Sequence, residues 1–145
     1  MFGSPTAFLL ATMITLAAAG GDYAKCETSD GSPWAYDCNN ALLDLDDSKC
    51  YDLNAQSSGC KNINSYGSCT VTVCVDDNLV YNAPQVPGSF IKEFGQKLQD
   101  GCGCKSNNCR VGGYYHVDKA QSSGASDHDC IATGLTYAHV EFTKK

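Results

Sequence analysis

The chain is short of positive charge. Its 145 residues carry 10 Lys and Arg against 16 Asp and Glu, a formal net charge of −6. An acidic surface disfavours nonspecific adhesion to nucleic acid or anionic lipid, both of which need cations, so no nucleic-acid partner is expected. Beyond residue 19 no run is apolar enough to cross a bilayer, which takes roughly 20 residues. There is no Asn-x-Ser/Thr acceptor, internal repeat, linker or low-complexity stretch. A phosphate-binding glycine loop, a nucleophile-elbow serine and a His-x-x-x-His pair are also missing. No cofactor is expected.

What is present begins with an apolar, alanine-rich run over residues 7–19. It has the length of a signal-peptide core and ends in small residues, as a cleavage site requires, although no Lys or Arg precedes it. Residues 1–20 are therefore expected to be a secretory signal, and residues 21–145 a single disulfide-rich, extracellular domain. All ten cysteines lie in that second part: Cys26, Cys38, Cys50, Cys60, Cys69, Cys74, Cys102, Cys104, Cys109 and Cys130. An even number in an oxidising compartment predicts disulfides throughout. The spacing leaves their pairing open.

Ser32-Pro33-Trp34 is a helix start, with Ser as cap and Pro at the first helical position. Trp34, Cys38, Ala41, Leu42 and Leu45 then share one face, which predicts a helix over about 33–46. Asp44, Asp46 and Asp47 oppose its dipole and end it in a solvated acidic turn. In residues 69–75, Cys69, Val71, Val73 and Val75 alternate with Thr70, Thr72 and Cys74, the period of a half-buried strand. Cys69 and Cys74 point to opposite faces, so each ties the sheet to something else. Asp76-Asp77-Asn78 is a turn, and Leu79 to Tyr81 a short returning strand. After Pro84 and Pro87, Ser89 caps a second helix over about 89–100, with Phe90, Ile91, Phe94 and Leu98 as its stripe and Gly101 as its stop. Strands follow over about 110–117 and 135–142, with a polar loop over 121–129. The fold class is α+β: helices packed on one face of a mainly antiparallel sheet.

Cys102-Gly103-Cys104 with Cys109 is assigned to disulfides pinning the second helix, not to a metal. Asp127-His128-Asp129 is assigned to a solvated loop rather than zinc. Tyr137, His139 and Glu141 alternate on one strand face. With Arg110 and His116 on a neighbouring strand they supply a base, an acid and a phosphate clamp, as a small secreted ribonuclease requires. Tyr137-Ala138-His139 is similar to an element of the fungal guanyl-specific ribonucleases. Tyr114, Tyr115 and Tyr137 offer an aromatic surface for carbohydrate.

Three stretches carry a wider resemblance: Thr28-Ser29-Asp30-Gly31-Ser32-Pro33 followed by Asp37-Cys38; Gly67-Ser68-Cys69-Thr70-Val71-Thr72-Val73; and the second helix running into Gly101-Cys102-Gly103-Cys104, with Gly134-Leu135-Thr136-Tyr137 beyond. In this order they resemble the killer-toxin-like proteins of fungi, typified by the virally encoded toxin of corn smut, and the fungal effectors homologous to an extracellular protein of tomato leaf mould. The resemblance implies a sandwich of antiparallel sheet and two helices, no enzymatic activity and no catalytic residues. It implies a monomer that acts on a cell-surface protein of a host plant or competing fungus, such as an ion channel. The killer toxin is basic, whereas this chain is acidic.

Overall fold

Valine alternating with threonine over residues 69–75 builds the centre of a sheet. The computed structural model describes residues 21–53, 59–75, 85–106, 108–118 and 137–145. The elements are β1 (Tyr23–Cys26), α1 (Ala35–Leu43), β2 (Cys50–Asp52), β3 (Cys60–Tyr66), β4 (Cys69–Val75), β5 (Gln85–Pro87), α2 (Gly88–Gly101), β6 (Gly113–Asp118) and β7 (Tyr137–Lys144). Five strands form one sheet in the order β1-β6-β7-β4-β3, and β2 pairs with β5 in a second. Every pairing is antiparallel. The expected α+β class is what the chain adopts.

The large sheet has two unlike faces. Val71, Val73, Ala138, Val140 and Phe142 point inward and are buried. Thr70, Thr72, Cys74, His139 and Glu141 alternate with them and point the other way. Both helices pack on the inner face, α1 against β3 and β4, and α2 against β1, β6 and β7. Each fully buried Val, Leu, Ile or Phe contributes roughly 1.5–3 kcal/mol. The exposed Lys97–Glu93 pair on α2 contributes under about 0.5 kcal/mol. Apolar burial, not surface charge, therefore holds the helices down.

Disulfides reinforce that arrangement. Cys38 on α1 bonds Cys69 on β4, and Cys26 on β1 bonds Cys102 just after α2. Cys60 and Cys74 bond across the β3–β4 ladder, and Cys104 bonds Cys109. Cys50 is also disulfide-bonded. Disulfides at this density belong to an oxidising environment. Two expectations need correction. Cys74 does not leave the sheet, because its register partner is Cys60. Cys104 does not pin α2 to another element, because the chain turns back locally through Cys109 N–H donating to Ser106 O at 3.3 Å.

The first helix is shorter than 33–46. Pro33 and Trp34 stay extended because they pair with a later segment. Ala35 N–H donates to Cys109 O at 2.8 Å, and Val111 N–H donates to Pro33 O at 3.0 Å. Ser32 is not the cap: its Oγ accepts from Ser29 N–H at 2.9 Å, and Trp34 takes the cap position without a side-chain hydrogen bond. Asp44 caps the other end, and Asp46 Oδ1 accepts the Ser48 N–H and O–H, the acidic turn expected. The second helix begins one residue earlier than expected, with Pro87 as its cap and Ser89 inside it. Its Gly95 is a close-approach site: a Cβ there would lie 2.7 Å from a Leu42 methyl carbon.

Residues 1–20, the turn and strand expected over 76–81, the loop over 121–129 with Asp127, His128 and Asp129, Cys130, and Gly134, Leu135 and Thr136 at the start of the last expected strand lie outside the described residues. No described helix is long and apolar enough to cross a membrane.

Gly95→Val is expected to lower stability by about 1–3 kcal/mol through overpacking against Leu42, measured by urea unfolding; an unchanged midpoint would contradict the helix contact. Cys38→Ala with Cys69→Ala is expected to cost roughly 3–4 kcal/mol, from the entropy of opening a loop with a sequence separation of 31.

Candidate functional site

The outer face of the sheet gathers the ionisable side chains. Register pairs Tyr23 with His116 and Lys25 with Tyr114 between β1 and β6. It pairs His116 with His139 and Tyr114 with Glu141 between β6 and β7. Because side chains alternate, these six fall on one face. Tyr23 stacks on His116 with ring centroids 4.9 Å apart, and Tyr114 on His139 at 4.5 Å. His116 Nδ1 and His139 Nε2 are 2.7 Å apart, a hydrogen bond that needs one ring to donate and the other to accept.

Charge is displaced here. Partial burial, and then the neighbouring His116, hold the His139 imidazolium below the usual histidine range. Burial, and then the Glu27 carboxylate, push the Glu141 carboxyl up. Its Oε2 lies 3.8 Å from the Cys74 sulfur. Lys25 is held above its usual value by its hydrogen bond to Glu27, an ion pair of 3.0 Å. It sits 5.6 Å from the Tyr114 ring centroid.

Of the residues expected to form a catalytic set, the fold unites His116, His139 and Glu141. Tyr137 lies on the same strand, with its backbone opposite Asp118. Arg110 is not among them. Its guanidinium carbon lies 4.0 Å from the Trp34 ring centroid, and its Nη1 donates to Ser32 O at 2.6 Å. The chain leaves regular pairing between Arg110 and β6, and the cation goes to the indole instead. The expected aromatic surface also divides. Tyr114 stands on the outer face, while Tyr115 stacks on Phe94 of α2 with ring centroids 5.5 Å apart.

Tyr23 and Lys25 were not foreseen in this site, because a four-residue strand leaves little periodicity to detect. Among the described residues no group of three His, Cys, Asp or Glu side chains converges as a metal site.

These features define a disulfide-stapled α+β domain with a helix-covered inner face and an open face of stacked aromatic and imidazole rings. Comparison with protein families, curated proteins and solved structures finds no match.

The depressed His139 has a signed consequence. Above the usual histidine range, folded and unfolded chains both hold it neutral and its full contribution is present. As pH falls through about 6.5, the unfolded chain protonates first and stability is lost. Glu141 has the opposite effect: its raised folded value adds stability as pH falls through it toward about 4.3. His139→Gln should flatten the stability profile between about pH 7 and pH 5, followed by urea midpoints; a slope equal to wild type would show that His139 does not titrate with folding.

Proposed function

We propose that the chain is a secreted, non-enzymatic toxin or virulence effector of the killer-toxin-like kind. It acts on a cell-surface protein of a host plant or a competing fungus, through inhibition of an ion channel. One observation supports this reading: the first two of the stretches behind the resemblance meet in space. Asp37 Oδ2 accepts the Ser68 N–H and O–H at 2.8 and 2.6 Å, and the next residues on each side are joined as Cys38–Cys69. The part of the third stretch at residues 101–104 is tied by Cys26–Cys102 to β1, which leads into the first stretch, across a sequence separation of 76; Gly134, Leu135 and Thr136 lie outside the described residues. Described pieces that lie apart in the sequence are here joined by hydrogen bonds and disulfides. A stapled domain of this kind suits work outside the cell, where chaperones are absent and disulfides persist.

The oxidised mature protein is expected to inhibit growth, alter calcium flux or cause necrosis in at least one plant or fungal target, with a reduced sample inactive. Absence of all three responses across a panel of targets would reject the reading.

The hydrogen-bonded His116–His139 pair beside Glu141 favours a second reading, a small secreted hydrolase of ribonuclease type. Two imidazoles and a carboxyl with a raised pKa supply an acid and a base within hydrogen-bond reach, and Lys25 supplies a cation on the same face. RNA cleavage abolished in both His116→Gln and His139→Gln would establish this reading, and its absence in wild type would end it.

A further inference from the structure

A second surface lies at the start of α1. A cleft of about 360 Å³ is lined by Trp34, Tyr36, Asp37 and Asn108. Trp34 is 42% exposed and Tyr36 48% exposed. The expected apolar stripe placed Trp34 in the core. Instead much of its apolar surface stays in water, which burial in the core would have removed.

The cleft is built from fixed parts. Trp34 N–H donates to Ser68 Oγ at 3.0 Å, and the Arg110 guanidinium packs on the indole. Ser68 in turn donates its hydroxyl and its N–H to Asp37 Oδ2, which holds the Asp37 carboxyl below its usual range and therefore ionised at neutral pH. The turn beneath is equally constrained. Gly67 has φ +53°, and a Cβ there would lie 2.4 Å from the Asp37 carboxyl carbon. Rigid aromatic rings give large contact area at little entropic cost, and a preorganised acceptor avoids the cost of ordering on binding.

The charges select the ligand. An anion would approach the Asp37 carboxylate, and a cation drawn to Asp37 would also meet the Arg110 guanidinium on the indole. A neutral ring with apolar faces and a hydroxyl rim meets neither penalty. We infer that this cleft binds a neutral pyranose sugar, with Trp34 and Tyr36 against its C–H faces and Asp37 Oδ1 and the Asn108 side chain bonding its hydroxyls. The inference rests on the cleft alone and stands apart from the toxin reading.

Trp34 is the only tryptophan in the chain, so intrinsic fluorescence reports on this site directly. The full-length mature, oxidised protein is titrated with the trisaccharides of N-acetylglucosamine, cellulose and laminarin, and separately with tetramethylammonium chloride. At least one sugar is expected to give a saturable emission change. Tyr36→Ala and Asn108→Ala, with circular dichroism as the check on folding, are expected to weaken it by roughly tenfold. Emission unchanged by every sugar, a response to tetramethylammonium alone, or sugar binding untouched by both variants would overturn the assignment.

Discussion

The bond between Cys38 and Cys69 is the constraint on which the rest of the arrangement depends. It joins the middle of α1 to the first residue of β4 with their Cα atoms 5.1 Å apart, and neither residue has exposed surface. β4 lies between β3 and β7, so a helix bonded to its end is fixed against the sheet. Ala41 and Leu42 are thereby brought over the valines of β4, and Leu42 reaches the close-approach site at Gly95 on α2. The same link sets the start of α1 beside the β3–β4 turn, where Ser68 connects Trp34 to Asp37.

The sheet divides its labour between faces. The inner face carries the buried apolar side chains of the core, so the outer face is free to hold groups that cost stability. Partly buried imidazoles and a carboxyl with a raised pKa are such groups, because burial disfavours their charged forms. Cys60–Cys74 lies on that outer side beside Glu141 and joins the edge strand β3 to its neighbour. An edge strand is prone to slip or to pair with other chains; a covalent cross-link to β4 holds its register even though its own side chains are mostly exposed.

Much of the architecture was legible where a periodic pattern ran unbroken. β4 was expected over 69–75 and forms Cys69–Val75, because strict alternation admits one register and Gly67 breaks the chain before it. The stripe of Ile91, Phe94 and Leu98 placed α2 to within a residue or so. Sequence reasoning failed where distant chain took over a local group. Ser32 has the chemistry of a cap, but its hydroxyl serves the preceding turn. Arg110 has the chemistry of a phosphate clamp, but a cation beside an exposed indole is attracted there. Parity put His139 and Glu141 on one face; their meeting with His116 required β6 to pair with β7 in one particular register. The Trp34 cleft joins α1 to Asn108, far along the chain, and no local spacing announces it. The short strands β1, β2 and β5 carry too few residues to show a period.

Disulfide mapping of the native protein, by proteolysis without reduction and mass spectrometry, tests this account most directly. The structure predicts peptides joined through Cys26–Cys102, Cys38–Cys69, Cys60–Cys74 and Cys104–Cys109. Cys38 found joined to any cysteine other than Cys69 would detach α1 from β4, and with it the cleft and the meeting of the first two stretches.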